Sequence, residues 1–179
     1  MSRKLTVGQF ISLNGVVEAP EEWSIPYYND EMGVAYGEMM AAADTLLLGR
    51  VTYESFAAVW PEQNDEMADQ LNGISKLVAS STLKEAGWQN STVIDGDVVT
   101  AVKELKEQPG ENITVAGSIT LTQTLLRAGL VDEVRLLVHP IVVGTGRRLF
   151  PDGPAQVPLT LTRSVTFDTG VLDLTYQPA

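Results

Sequence analysis

Two hydrophobic periods alternate along the chain, one typical of β-strands and the other of α-helices. The central segment shows both, since 113–116 is a short apolar run of β-forming residues and 119–128 repeats apolar residues at helical spacing. Gly129 is placed to end this helix, and a second apolar run covers 131–139. A strand, a helix and a second strand in this order are expected to form a right-handed crossover between parallel strands.

The remaining pattern predicts the same alternation of strands and helices along the whole chain. Further strands are expected at 4–13, 45–48, 76–79 and 92–94, and further helices at 31–43, just after 49, at 62–72 and at 98–106. The segments 157–167 and 171–176 alternate around 168–170 and predict a C-terminal β-hairpin. The sequence therefore predicts one α/β domain over residues 1–179, with an open, mainly parallel sheet and an antiparallel edge.

Composition limits the chemistry that such a domain can carry. The 179 residues include no cysteine and a single histidine, so disulfides and thiolate chemistry are excluded, and neither a zinc site nor a Ser-His-Asp triad is expected. The net charge of −11 argues against nucleic acid and anionic membranes as partners. No apolar stretch reaches the ~20 residues of a membrane span, and the apolar start is interrupted by polar residues, which favours a strand over a signal peptide. We therefore expect a cytoplasmic protein without a metal site.

Three turns that suit a phosphate-bearing ligand follow three of the predicted strands. They comprise Gly49–Thr52, Ser80–Thr82 and Ala116–Ser118. Glycine allows a ligand to approach the backbone closely, and hydroxyl groups can bind phosphate oxygens. Because the carboxyl ends of parallel strands lie along one edge of a sheet, the three turns can converge on one elongated ligand. Each turn alone also has an ordinary structural explanation, which is close packing for Gly117 and helix capping for the hydroxyls of 80–82.

Arg50 is the candidate cation of this edge. It is expected in the first turn of a helix, where the macrodipole disfavours a positive charge unless an anion lies between the guanidinium and the helix end. The alternative is an exposed ion pair with Asp44 or Glu54. Two further arginines, at 147–148, lie in a segment expected to be mobile; they can meet a phosphate, although a solvated loop is the commoner case. His139 falls on a buried-strand pattern and is expected to be structural.

These motifs resemble the dihydrofolate reductase-like fold, and more closely the reductase domain of the bifunctional riboflavin-biosynthesis deaminase–reductase, over roughly residues 3–176. The segment Gly49–Ser55, which reads GRVTYES, is similar to the one with which those reductases hold the phosphates of NADPH. Ser80-Ser81 matches a serine pair after the next strand, Ala116-Gly117 falls where the family has two glycines, and 130–150 is the most specific match. The resemblance implies a three-layer fold, in which helices flank a mainly parallel sheet, and NADPH as the cofactor.

The resemblance also implies a set of site residues and a reaction. The residues that it implies for cofactor binding are Gly49, Arg50, Thr52, Ser80, Ser81, Ala116, Gly117 and Ser118. Arg50 is implied to hold the 2′-phosphate that separates NADPH from NADH. The substrate is expected over Asn14, Trp23 and Tyr28, where Trp23 would stack on a flat heterocycle unless its ring belongs to the core. The implied reaction is hydride transfer from NADPH to a small heterocycle, as in 5-amino-6-(5-phosphoribosylamino)uracil reductase of riboflavin biosynthesis.

Two departures from the family patterns keep other functions open. Tyr28 stands where dihydrofolate reductases have a carboxylate, and Asn14 and Val16 stand where the riboflavin reductases have aspartate and lysine. The alternatives are a dihydrofolate or pterin reductase, and a non-catalytic nucleotide-binding homodimer that has lost the activity. The exposed edge of the predicted C-terminal hairpin would suit a homodimer.

Overall fold

A central β-sheet organises the computed structural model, which describes residues 2–153 and 155–179. Its strands are β1 (Leu5–Ser12), β2 (Ala43–Gly49), β3 (Ser75–Ala79), β4 (Ser91–Val93), β5 (Asn112–Ala116), β6 (Glu133–His139), β7 (Leu159–Thr166) and β8 (Leu172–Pro178). The helices are α1 (Asp30–Ala41), α2 (Arg50–Ala57), α3 (Glu66–Gly73), α4 (Val98–Glu107) and α5 (Ile119–Arg127). Among the described residues the strand order is β4-β3-β2-β5-β1-β6-β8-β7, and no helix is long and apolar enough to cross a bilayer.

The strand pairing confirms a mainly parallel sheet with an antiparallel edge. Strands β1 to β6 pair in parallel with one another, while β8 runs antiparallel to both β6 and β7. The last two strands form the predicted C-terminal hairpin. The expected unit of β5, α5 and β6 is also present, but β1 lies between its two strands. The first strand of the chain therefore occupies the middle of the sheet.

Apolar cores lie on both faces of the sheet. Side chains of α1, α2 and α3 cover one face together with Leu46 and Leu48, whereas α4 and α5 cover the other face together with Leu47. Successive side chains of a strand point to opposite faces, so each of these buried leucines of β2 contributes to a core. The result is the three-layer α/β arrangement that the family resemblance implies.

Two helix predictions are wrong at one end. The helix expected over 31–43 ends at Ala41, since the following residues already enter β2. The helix expected over 62–72 starts only at Glu66, because the Asp65 carboxylate accepts a hydrogen bond from a first-turn N–H group at 2.8 Å and caps the helix there. Of the residues before it, Glu62 ends a short 3-10 turn that begins at Trp60, and 63–65 are not helical.

A buried charge cluster ties the C-terminal hairpin to the rest of the sheet. Asp173 of β8 is fully buried and accepts hydrogen bonds from Arg135 of β6, at 2.8 and 2.6 Å, and from Arg163 of β7. Glu38 of α1 lies 3.1 Å from the same Arg135 guanidinium. Burial raises the pKa of the Asp173 carboxyl, but the hydrogen bonds and charges of the two arginines outweigh burial and hold this pKa below its usual range. The cluster therefore fixes both hairpin strands against β6.

Candidate functional site

The carboxyl ends of β3, β2, β5, β1 and β6 lie side by side, in this order, at one edge of the sheet. The three turns that the sequence suggests for a phosphate-bearing ligand follow β3, β2 and β5, which are direct neighbours. The segments after β1 and β6 complete the same edge. The structure thus brings the three turns together, although they are far apart in the sequence.

The turns after β2 and β5 are hydrogen-bonded to each other. Ser118 N donates to Thr52 Oγ1 at 3.0 Å, and Gly49 N donates to Ser118 Oγ at 2.9 Å. The Ser118 hydroxyl in turn donates to Ala116 O at 3.1 Å, so its hydrogen is used inside the protein. The Thr52 hydroxyl only accepts in this network, so its hydrogen is available to a ligand.

Helices α2 and α5 begin at these two turns without a side-chain cap. Their first-turn N–H groups lie at the positive end of the helix dipole, and this combination favours an anion. Gly117 and Ser118 both have a positive φ, +55° and +56°, and a Cβ atom on Gly117 would lie 3.2 Å from Thr52 Oγ1. Glycine at 117 therefore suits both the left-handed backbone and the close approach of α2.

Arg50 is the first residue of α2 and lies in an exposed ion pair. Its Nη1 is 2.9 Å from Glu54 Oε2, and the two side chains are 44% and 51% exposed. The ion pair that the sequence left open is therefore formed with Glu54, whereas Asp44 pairs with Arg3. An exposed pair of this kind contributes little to stability, so the guanidinium remains accessible to an anion at the start of α2.

Ser80 and Ser81 follow β3 beside these turns. Ser80 Oγ accepts hydrogen bonds from the backbone N–H groups of Thr82 and Leu83, at 3.2 and 3.0 Å. This is a local serine turn, and no helix follows it. Ser81 is exposed. Ser80 therefore shapes the turn, and the Ser81 side chain is open to solvent at the same edge.

Asn14 joins two segments of this edge. Its Nδ2 donates to Val143 O at 2.9 Å, and its Oδ1 accepts from Val143 N at 3.0 Å and from a serine hydroxyl of β1 at 2.7 Å. The contact fixes residues 140–149 after β6, here called the strap, to the end of β1. The Asn14 amide, which the sequence predicts to contact the substrate, is therefore largely hydrogen-bonded within the protein. One Nδ2 hydrogen is left for a ligand.

The strap is hydrogen-bonded near both of its ends, and its last contacts involve the two arginines of 144–148, where the sequence predicts a mobile basic loop. Its backbone bonds to the β1 side are Leu13 N to Ile141 O at 2.8 Å, Val17 N to Arg147 O at 3.0 Å and Leu149 N to Gly15 O at 3.1 Å. The Arg147 guanidinium donates to Thr120 Oγ1 at 2.9 Å, in the first turn of α5. Arg148 pairs through its backbone with Val16. The strap therefore brings Arg147 to the start of α5.

The two aromatic residues expected on the substrate side lie in different surroundings. Trp23 is buried, with its ring 5.2 Å from that of His139 between centroids and its Nε1 donating to Glu18 O at 3.1 Å. Tyr28 is 62% exposed. The Trp23 ring therefore belongs to the core, which is the alternative that the sequence left open, and the Tyr28 ring is the one accessible to a ligand.

His139 is fully buried at the end of β6. Its Nδ1 lies 2.8 Å from Leu137 O, which can only accept, so Nδ1 carries the hydrogen. The rings of Phe10, Trp23 and Tyr27 surround it at centroid distances of 5.6, 5.2 and 5.8 Å. Burial lowers the pKa of His139, and hydrogen bonds to backbone carbonyls only partly oppose this effect. A neutral imidazole enclosed by aromatic rings fits the structural role that the sequence predicts.

Gln9 is a residue of this edge that the sequence reasoning missed. In the sequence it stands out only as a polar residue that interrupts the first predicted strand. In the structure it is buried, and its Nε2 donates to Gly117 O at 2.6 Å. The sequence did carry one signal, which is an amide on a face of β1 that is otherwise apolar. Such an amide is expected to be buried, and a buried amide needs a hydrogen-bond partner.

Comparison with known proteins places the chain in a family. The family model of the RibD C-terminal domain matches residues 3–172. The chain belongs to the RibD C-terminal domain family. A curated relative of this RibD C-terminal domain is the uncharacterized protein YyaP of Bacillus subtilis, which is 29% identical over 97% of this chain and 94% of YyaP.

Solved structures share the fold at low sequence identity. A candidate riboflavin biosynthesis protein of Shewanella sp. PV-4 has a TM-score of 0.81 at 20% identity, over 100% of this chain and 99% of that chain. The Thermotoga maritima deaminase/5-amino-6-(5-phosphoribosylamino)uracil reductase has 0.71 at 12%, over 99% of this chain and 57% of its own. Dihydrofolate reductase of Enterococcus faecalis has 0.65 at 16%, over 99% of both. These likenesses confirm the dihydrofolate reductase-like fold of this RibD C-terminal domain.

Proposed function

We propose that this RibD C-terminal domain is an NADPH-dependent reductase of a small heterocyclic substrate, similar to 5-amino-6-(5-phosphoribosylamino)uracil reductase. The observation that carries the proposal is the junction of two uncapped helix N-termini at the Thr52–Ser118 contact. Backbone N–H groups, a hydroxyl and a guanidinium there face one edge and suit a ligand with several phosphates. The Enterococcus dihydrofolate reductase, whose fold is similar, was solved with NADP(H) bound.

The proposed cofactor site uses this chain's residues in three ways. The starts of α2 and α5, with the Thr52 hydroxyl between them, hold the phosphates that join the two nucleotides. Arg50, with Ser80 and Ser81 on the next turn, holds the 2′-phosphate. Ala116 and Gly117 bring backbone close to the nicotinamide side. The cofactor supplies the hydride when bound, and the protein orients the reacting groups and excludes water.

The proposed substrate side lies between the segment after β1 and the strap. The exposed Tyr28 ring can stack on a flat heterocycle. The remaining Asn14 amide hydrogen can be donated to a substrate oxygen, and Arg147 can pair with a substrate phosphate from the start of α5. Trp23 acts from the core, by supporting the loop that carries Tyr28.

Replacement of Arg50 tests the cofactor assignment. Arg50→Ala is expected to weaken NADPH binding by roughly ten- to hundredfold, since a charge-assisted contact contributes about 1.5–3 kcal/mol. NADH binding should change little, because it lacks the 2′-phosphate. Titration of both nucleotides by tryptophan fluorescence and by thermal stability measures the two effects.

Two control variants make this test specific. Glu54→Gln removes the ion-pair partner and should leave NADPH binding equal or tighter. Arg127→Ala removes an arginine at the far end of α5 and should leave both nucleotides unaffected. An equal loss for NADPH and NADH in Arg50→Ala would contradict the 2′-phosphate assignment. Absence of binding of both nucleotides to the unchanged protein would contradict the cofactor assignment itself. Binding of NADPH without reduction of any pyrimidine or pterin substrate would favour the non-catalytic alternative, which the engaged Asn14 and the buried Trp23 also fit.

We also propose that the protein forms a homodimer through the C-terminal hairpin. Every residue of β7 is exposed, and β7 is an edge strand of the sheet. Leu159, Leu161 and Val165 are 38%, 50% and 37% exposed on it, and Arg163 is the one charged residue in this strand. An edge strand with apolar side chains and little charge is suited to pairing with another strand, and a second copy supplies one by two-fold symmetry.

A further inference from the structure

Gln9 is a buried amide on the apolar face of β1. Only 4% of its surface is exposed, and the neighbouring side chains on the same face of β1, Val7 and Ile11, belong to the core under α4 and α5. A leucine at this position would continue that apolar row. Burial of an amide costs free energy unless its polar atoms find partners, so the contacts of Gln9 indicate what the amide does.

The Gln9 amide holds one peptide group of the ligand-binding edge. Its Nε2 donates to Gly117 O at 2.6 Å and lies 3.3 Å from Thr122 Oγ1. The Thr122 side chain is fully buried as well, and its hydroxyl donates to the same Gly117 oxygen at 3.1 Å. Two buried donors therefore converge on one carbonyl group.

The Gly117–Ser118 peptide is consequently held from two sides. Its carbonyl oxygen faces Gln9 and Thr122 in the interior, and its N–H group donates to Thr52 Oγ1 of α2 at 3.0 Å. Both flanking residues have a positive φ, which side-chain-bearing residues such as Ser118 rarely adopt. A peptide plane in this conformation persists when its neighbours impose it.

We infer that Gln9 is a positioning residue, which orients the Gly117–Ser118 peptide and thereby sets the start of α5 and the Thr52 hydroxyl for the cofactor phosphates. The expected effect on cofactor binding rests on the proposed function, whereas the hydrogen bonds of Gln9 do not depend on it. The Gln9 side chain is buried and is not part of the exposed edge. It acts through the Gly117 carbonyl. Loss of its side-chain amide should therefore change the conformation of the turn at 117–118 without unfolding the protein.

Two substitutions of Gln9 separate positioning from packing. Gln9→Leu keeps the volume and removes the donor, and is expected to weaken NADPH binding about tenfold, the effect of one lost hydrogen bond. Gln9→Glu can donate to Gly117 O only while its carboxyl is protonated, and burial raises the pKa of such a carboxyl. Its NADPH affinity, relative to the unchanged protein at the same pH, should be near normal at about pH 6 and tenfold or more weaker at about pH 8.5.

A matched control and a second measurement complete the test. Thr6→Val, on the same strand, removes a hydroxyl contact of 2.8 Å with Thr114 and should lower stability without changing NADPH affinity. Amide hydrogen exchange of Ser118, followed without nucleotide, should be faster in Gln9→Leu and unchanged in Thr6→Val. Unchanged exchange at Ser118 in Gln9→Leu would overturn the inference, whether or not the protein binds NADPH. Failure of the unchanged protein to bind NADPH, with faster exchange in Gln9→Leu, would overturn only the proposed function.

Discussion

The buried imidazole of His139 should make the folding stability depend on pH. Burial lowers its pKa from 6.5, the value that an unfolded chain retains. Above about pH 7 both states are neutral, but as the pH falls through 6.5 the unfolded state takes up the proton first. The free energy of unfolding should therefore decrease, by up to about 1.4 kcal/mol per pH unit, until the folded imidazole is protonated as well.

Replacement of the histidine isolates this effect, because His139 is the one histidine of the chain. In His139→Leu, the free energy of unfolding should change less between about pH 7.5 and about pH 5.5 than in the unchanged protein. Urea denaturation across this range gives both curves, and the difference between them isolates the imidazole from the groups that the two proteins share. Parallel curves would show that the imidazole has the same pKa in the folded and unfolded states.

Residue types at the site were predictable from the sequence, but their partners were not. Thr52 and Ser118 were suggested because hydroxyls and glycines after buried strands suit phosphates. Their mutual hydrogen bond, across 66 positions, could not be predicted without the strand order. The same holds for Asn14, whose partner Val143 lies 129 positions away. The hydrogen-bonding groups of a side chain that the sequence suggests for ligand binding can thus be occupied by a loop that is distant in the sequence.

At the level of the element, the strap depends on the amide chemistry of Asn14. Asn14→Asp keeps an acceptor for Val143 N, but it loses the donor to Val143 O and places a carboxylate beside that carbonyl. The substitution is expected to destabilise the protein by about 1 kcal/mol, because the groups that lose a hydrogen bond are only partly buried. Amide exchange at Val143 and Arg147 should become faster, while exchange in α3 should not. Thermal unfolding and hydrogen exchange measure the two effects.

The same chemical change elsewhere on the surface provides the control. Asn64 is exposed and precedes α3, so Asn64→Asp adds the same charge without touching the strap. It should change stability by no more than about 0.5 kcal/mol. Strap exchange that is equally slow in Asn14→Asp and Asn64→Asp would mean that the backbone bonds of the strap hold it without the amide.

Helices and strands were predictable because apolar spacing determines which face is buried. Their ends were harder to predict, because they depend on neighbouring elements and on single capping residues. The end of α1 depends on the start of β2, and the start of α3 depends on Asp65, which follows a second residue of capping type, Asn64. The sequence predicts a mobile basic loop at 144–148. The backbone contacts of Arg147 and Arg148 with the segment after β1 are tertiary, so the local sequence could not indicate them.

At the scale of the whole molecule, the parallel order of the strands is what makes a site from separate turns. The alternation of strands and helices predicted a common edge for the turns after β2, β3 and β5. It did not predict that these three strands are neighbours, or that β1 is inserted next to β5. That insertion places Gln9 beneath Gly117, which explains why the residue escaped sequence reasoning.

The exposed edge strand β7 carries the last prediction, which concerns assembly. In the proposed homodimer, Leu161→Lys places a charge in the apolar interface and should give a monomer, whereas the unchanged protein should have the mass of a dimer. Val34→Lys, a change of the same kind at a 62% exposed position of α1, should remain dimeric. Light scattering after gel filtration, at low and high salt, measures the mass. The two salt conditions are needed because a net charge of −11 on each copy opposes association at low ionic strength. A monomeric unchanged protein at both salt concentrations, or a dimeric Leu161→Lys, would show that β7 is not the interface.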